Sequence, residues 1–312
     1  MVSNEALMQN NGILTLKEFA FSVSEQLKTF LPESYASAEI TVTDVKKQNS
    51  IVKTGVTIRK ENSVIAPTLY LEEAFDAFKN GENLHKICMT LARAIVENEP
   101  KDEIQIEELV NWESAKDKVF PRVINARFNV ELLKDRPHSM LADLAVVYDI
   151  RIAVKADEVG TIGISNKMLK ENLKVSIQEL HEVALRNMLT QDDARVCPIG
   201  VLLRKMGMDV PEDMEGEVSE PKLLVLTNQK GILGSNQLLN TAVLNDLAEK
   251  FGGKFCILPS SIHETIVLKC PKDGFEQLTE MVQSVNESVV EPQDILSDHA
   301  YVYSTRGGLQ IA

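Results

Sequence analysis

Apolar positions recur along the chain at two spacings, every three to four residues in some stretches and every second residue in others, which predicts interleaved helices and strands. Thr15 and Glu18 form a capping box, with Leu14 and Phe19 placed as a hydrophobic staple. Phe19, Val23, Leu27 and Phe30 continue one apolar face until Pro32 ends it. Residues 38–46 and 51–59 alternate with period two around Lys47-Gln48-Asn49-Ser50, so a hairpin is expected. A short extended piece over 63–70, interrupted by Pro67, leads into helices over 71–79 and 82–98. The charged stretch 101–118 reads as helical around Ile106, Leu109 and Trp112. Beyond it come a strand over 119–126, a short helix over 129–134, one or two strands over 141–154 and a strand over 159–164. Ser176 and Glu179 open a helix that runs to about Leu189.

The richest stretch is 222–270. Leu223, Leu224, Val225 and Leu226 make a continuous apolar run, the kind that suits a strand covered on both faces. Ser235 or Asn236 offers an N-cap, and Leu238, Leu239, Ala242, Val243, Leu247 and Phe251 supply a helical stripe ended by Gly252 and Gly253. Phe255, Ile257 and Leu258 form a second strand, Pro259-Ser260-Ser261 a turn, and 262–268 a third strand with two unlike faces. A cap over 273–276 precedes a helix bearing Phe275, Leu278, Met281, Val282 and Val285, and 300–303 closes as a strand.

The pattern predicts an α+β protein of mixed small sheets flanked by helices, arranged as two lobes. The first spans residues 1–210, as one body or as subdomains 1–100 and 101–210. An acidic linker over 211–221, with five acidic residues between two prolines, leads to a C-terminal βαββα lobe over 222–312.

Charge narrows the function classes. Lys and Arg number 33 against 46 Asp and Glu, a net charge of −13, which argues against a nucleic-acid partner because such affinity rests on neutralising phosphates. Cys88, Cys197, Cys256 and Cys270 include no Cys-x-x-Cys, so no zinc knuckle or thioredoxin-type pair is available. They read as thiols in a reducing cytoplasm. The polar first eleven residues carry no basic and apolar leader regions, and no apolar run approaches membrane-spanning length; a cytoplasmic protein without a membrane partner is expected.

Candidate chemistry is sparse. His263-Glu264 and His181-Glu182 lack the second histidine of a zinc-protease helix, with Val267 and Leu185 in its place, so no metal is expected. Gly231-Ile232-Leu233-Gly234-Ser235 is not a phosphate loop, since no Lys follows Gly234. Ser261 and His263 share a face of an extended segment and are the candidates for a nucleophile and base, without a nucleophile elbow or an identifiable third group. Asp143, Asp149, His138 and His299 have still less around them in sequence and read as structural.

Leu226-Thr227-Asn228, Leu258-Pro259-Ser260-Ser261-Ile262-His263-Glu264 and Leu296-Ser297-Asp298 with Tyr301 carry a family resemblance. So do Pro67-Thr68-Leu69-Tyr70-Leu71 with Gly81, Asn125, and Asp143-Leu144-Ala145-Val146-Val147-Tyr148. In these the chain resembles a prokaryotic family catalogued as domain of unknown function 5688, from about Leu14 to Tyr303. Ser235 replaces an expected Ala and Leu173 an expected Trp, changes of packing size. The resemblance carries no assigned activity over to this chain.

The functional expectation comes from topology. The 26 residues between Thr227 and Lys254 are ample for a helical crossover, which makes the flanking strands parallel and opens their C-terminal ends on one edge. That edge would gather Thr227, Asn228, Ser235, Ser260, Ser261 and His263 as a ligand site. We therefore expect a non-catalytic module that binds a protein or a small anionic ligand, with no cofactor. The alternative is a hydrolase using the Ser/His pair between Ser260 and His263. A competing reading is that Asn228 and the serines tie two loops together by hydrogen bonds.

Overall fold

The computed structural model describes residues 14–61, 66–97, 109–155, 158–205, 209, 223–259 and 261–312. Its contacts separate two units, Met1–Lys47 with Ile51–Ile106, and Gln48–Ser50 with Glu107–Ala312. The fold is α+β, with antiparallel sheets flanked by helices in two lobes.

In the first unit, helix α1 (Leu16–Leu27) starts at the expected capping box: Thr15 accepts from Glu18 N, and the Glu18 carboxylate accepts from Thr15 N at 2.8 Å. Strands β1 (Glu39–Lys46) and β2 (Val52–Arg59) pair antiparallel without a break, and β3 (Thr68–Tyr70) adds to β2. Their connection is tighter than a simple polar turn, with Asn49 and Ser50 both at φ 58°. Helices α2 (Glu72–Lys79) and α3 (Leu84–Glu97) complete the unit. Phe19 packs between the rings of Phe75 and Phe78, 5.3 and 5.2 Å between centroids, in a core with Val23, Val56, Ile58 and Ile95.

The second unit holds two sheets. In one, β4 (Val119–Asn125), β5 (His138–Leu141), β6 (Leu144–Lys155) and β7 (Glu158–Gly163) are antiparallel, and the long β6 pairs with all three others. Within the stretch expected over 141–154, Leu141 ends β5 and one long strand, β6, runs on from Leu144, while polar His138 and Ser139 hid its hairpin partner. Helix α4 (Ile177–Gln191), capped by Ser176 as expected, covers β4. Its buried Asn187 donates to the carbonyls of Lys116 and Val119 at 2.6 and 2.9 Å, satisfying main chain at the strand entrance.

The other sheet draws on β8 (Ala194–Pro198), β9 (Leu223–Asn228), β10 (Lys254–Leu258), β11 (Thr265–Lys269), β12 (Tyr301–Ser304) and β13 (Gly308–Ile311), with helices α5 (Ile199–Lys205), α6 (Thr241–Lys250) and α7 (Phe275–Ser288). Its order is β13-β12-β10-β11-β9-β8, with antiparallel neighbours throughout. Because β9 and β10 both run against β11 between them, they are parallel to each other, as the crossover length predicted, though not adjacent. The period-two alternation decides how the sheet is covered: Phe255 and Ile257 join Leu244, Leu247 and Ala248 of α6 on one face, while Cys256 and Leu258 meet Leu278 and Val282 of α7 on the other. Each such large apolar side chain contributes about 1.5–3 kcal/mol by leaving water. Val123 and Leu144 of the first sheet share the α6 core, so the two sheets of this unit are packed as one body.

Three local expectations change. The helix foreseen from Ser235 begins instead at Thr241 with Asn240 as N-cap, after a 3-10 segment over Gly234–Leu239; Ser235 and Asn236 are spent on tertiary bonds described below. Gly274, not a side-chain box at Asp273, precedes α7. Strands β8 and β13 were not foreseen, being short and largely polar or half-buried. The expected linker over 211–221 lies outside the described residues; β8, ahead of it, pairs with β9, behind it, over five residue pairs. Among the described residues no helix is long and apolar enough to cross a membrane.

Candidate functional site

The C-terminal ends of β9 and β10 meet the entrance of β11, and there the loop 228–234 lies against residues 261–264. Thr227 Oγ1 donates to the carbonyl of His263 at 2.8 Å. Ser235 donates from both its N–H and its Oγ to the carbonyl of Ile262, at 3.2 and 2.7 Å. Asn228 closes its own loop, Nδ2 donating to Ile232 O at 2.7 Å and Oδ1 accepting from Ile232 N at 3.3 Å. The structure therefore brings Thr227, Asn228, Ser235, Ser261 and His263 together, while Ser260 lies outside the described residues.

Gly234 makes this closeness feasible. A Cβ built there would stand 2.1 Å from Thr227 Oγ1 and 2.4 Å from His263 O, so the glycine serves close backbone approach rather than a phosphate. Leu233 just before it takes a left-handed conformation, φ 54°, with its N–H donating to His263 Nδ1 at 3.3 Å.

The same contacts define what the Ser/His pair can do. Ser261 Oγ accepts from His263 N at 2.9 Å. His263 Nδ1 faces Leu233 N, and Nε2 stands 3.7 Å from Asp294 Oδ2, an ion-pair separation rather than a hydrogen bond. With both ring nitrogens so directed, the imidazole is not aligned on the Ser261 hydroxyl as a general base must be. The Asp294 carboxylate holds the His263 ring above the ordinary imidazole range, against the opposing effect of burial. Burial pushes the Glu264 carboxyl up, and His263 and Ser261 only partly offset it. Neither Glu264 nor Asp294 was foreseen as part of this edge. Asp294 arrives because residues 292–297 run beside Pro259, Ser261 and Ile262, with Ile262 N donating to Asp294 O at 2.9 Å and Ser297 N to Pro259 O at 3.1 Å.

A second polar group continues along that segment. His299 sits between two carboxylates, Nδ1 2.9 Å from Asp298 and Nε2 3.2 Å from Asp143. Tyr301 OH donates to Asp143 Oδ1 at 2.5 Å and lies 3.1 Å from Ser297 Oγ, and Asp298 also pairs with Arg127. Burial, reinforced by Asp143, raises the Tyr301 hydroxyl, so it stays a donor. For Asp298 burial acts upward, but His299 and Arg127 together hold it below the ordinary carboxylate range. Asn125 donates to Leu296 O at 3.0 Å and Asn286 to Ser297 O at 2.8 Å, fixing the segment's main chain. Asp143 and His299, unremarkable in sequence, thus share one network; the signal that could have joined them is that Asp143, Asn125, Tyr301 and Leu296-Ser297-Asp298 all belong to the stretches carrying the family resemblance. Asp149, buried, lies between the guanidinium groups of Arg122 and Arg136, and His138 Nδ1 lies 2.9 Å from the carbonyl of Arg136.

A separate hollow of about 260 Å³ is lined by Asp117, Lys118, Phe120, Arg151, Ile152, Gln191 and Lys230. Arg151 in it is paired with the buried Asp192 and lies over the Phe120 ring. Among the described residues no group of three or more His, Cys, Asp or Glu side chains is placed to hold a metal ion.

A model of a family of unknown function, DUF5688, matches residues 16–305. No curated protein and no solved structure matches the chain.

Proposed function

We propose, from the premise that this chain belongs to the DUF5688 family of unknown function, that it is a non-catalytic binding module that docks a basic segment of a partner protein. The observation that carries the reading is the engagement of His263 with Leu233 and Asp294, and of the Ser261 hydroxyl with the main-chain N–H of His263, which leaves Ser261 without an aligned base. What the edge offers outward is acidic: His263 and Asp294 keep 34% and 27% of their side-chain surface, and Glu264 is half-buried beside them. Two carboxylates flanking one imidazole favour a cationic group over an anion, in line with a net charge of −13. Four free cysteines support a cytoplasmic setting.

A small anionic ligand is a second reading, favoured by the hollow that Lys118, Arg151 and Lys230 line rather than by the Ser261–His263 edge. The experiment measures binding of a fluorescent oligolysine peptide and of inorganic phosphate. Under the first reading, Glu264→Gln with Asp294→Asn weakens peptide binding about tenfold, whereas the charge-matched pair Glu276→Gln with Glu280→Gln on exposed α7 positions leaves it unchanged. Equal losses in both would reduce the peptide to a nonspecific counter-ion. Phosphate binding lost in Lys230→Ala would favour the second reading. Labelling by a fluorophosphonate that disappears in Ser261→Ala would restore the hydrolase.

A further inference from the structure

Cys256 and Cys270 are 14 residues apart in sequence, yet their sulfurs lie 3.0 Å from each other, the thiol of Cys256 directed at Cys270 Sγ. Both are free. The separation follows from strand register: Cys256 of β10 stands opposite Leu268 of β11, and Cys270 comes one residue past the end of β11, on the same sheet face. The two are unlike in access, Cys256 fully buried beneath α7 and Cys270 partly exposed. A disulfide needs sulfurs about 2.05 Å apart, so closure asks for a shift of about 1 Å. The backbone of Cys270, beyond the last ladder pair, is placed to make that shift.

We propose that Cys256 and Cys270 are a reactive dithiol that a hydroperoxide closes to an intramolecular disulfide across the β10–β11 hairpin. The Cys270 thiolate, the accessible one, attacks a peroxide oxygen; the O–O bond breaks, an alcohol or water leaves, and Cys270 becomes a sulfenic acid. The Cys256 sulfur then displaces the hydroxyl from Cys270, the S–S bond forms, and the Cys256 proton leaves with the hydroxyl as water. Two electrons pass from the sulfurs to the peroxide, and a dithiol reductant returns them. Burial pushes the Cys256 thiol up, which suits a resolving partner that stays protonated until the sulfenic acid is beside it. The hairpin so closed carries Ser261, His263 and Glu264 between its two cysteines, so oxidation would tether both ends of the loop that forms the candidate edge. Cys88, fully buried and held at about 11 by that burial, has no comparable neighbour among the described thiols.

The test treats the full chain with equimolar hydrogen peroxide, blocks remaining thiols with N-ethylmaleimide and maps peptides without reduction. A single cross-linked species joining Cys256 to Cys270 is expected, about 2 Da lighter than the reduced pair. Free thiols should fall from four to two, and dithiothreitol should restore them. In Cys270→Ser no cross-link forms and Cys256 stays alkylatable only after unfolding, which separates the pair's chemistry from any effect on folding. Four unchanged thiols, a cross-link through Cys88 or Cys197, or Cys270 carried on to sulfinic acid while Cys256 remains free would each overturn the proposal.

Discussion

Asn236 meets Pro121 as a neighbouring strand would: its Nδ2 donates to Pro121 O at 2.8 Å while its Oδ1 accepts from Val123 N at 3.0 Å. One buried side-chain amide therefore completes the edge of β4 and joins the two sheets of the second unit. Replacing it by Ala strands a main-chain donor and a main-chain acceptor away from water, each at about 1–3 kcal/mol. Asn236→Ala is expected to lower stability by about 3 kcal/mol in urea unfolding. Asn236→Asp, which keeps the shape but cannot donate to Pro121, should cost at least as much. A loss within about 0.5 kcal/mol, the range of ordinary surface substitutions, would show that the amide is not gripping β4.

Two glycines of one loop should respond differently to a methyl group. Gly231 has φ +67° and open space around its Cβ position, so Gly231→Ala costs only the left-handed conformation, about 1–2 kcal/mol. Gly234 has no room, and Gly234→Ala must part Thr227 from His263, for which about 3 kcal/mol is expected. Paired denaturation curves check the order. If Gly231→Ala proves the costlier, close approach is not why Gly234 is there.

The His263 edge carries a pH dependence whose sign can be worked out. Both His263 and Glu264 are raised in the folded chain above their ordinary values of 6.5 and 4.5. A raised group contributes stability that is complete below its unfolded value and is lost as pH rises through its folded one. Stability is thus expected to decline as pH climbs from about 4.5 for Glu264 and from about 6.5 for His263. In Asp294→Asn the His263 ring loses its main support and should titrate lower, which NMR of the imidazole resonances would record. An unchanged titration would mean that the 3.7 Å pair contributes nothing.

Residues 211–221, by composition, are the expected first cut in limited proteolysis, with acidic residues and prolines and little apolar content. The sheet adds a consequence: β8 and β9, on either side of that cut, are registered from Ala194↔Asn228 to Pro198↔Leu224. The two fragments should therefore co-elute in size exclusion and separate only in denaturant. A first cut inside α3 would remove the linker assignment, and fragments that part under native conditions would remove the pairing.

The sequence by itself determined the elements whose cause is local. Thr15 and Glu18 start α1 because a capping box needs only three residues' separation, and Gly252 and Gly253, both at positive φ, end α6 for an equally local reason. The continuous apolar run from Leu223 to Leu226 already implied a strand covered on both faces, and Leu224, Val225 and Leu226 are all buried; the crossover length implied that β9 and β10 run parallel. Only the tertiary structure decided how loop polar groups are spent. Ser235 and Asn236 look like helix caps in sequence, since short polar side chains before an apolar stripe usually are; here the carbonyls of Ile262 and Pro121 claim them, and Asn240 caps the helix instead. Asp294 reaches His263, and Asp143 reaches Tyr301, across separations of 31 and 158 residues. No periodicity encodes such pairs, because a loop side chain's partner depends on which other loop the packing of the strands delivers beside it.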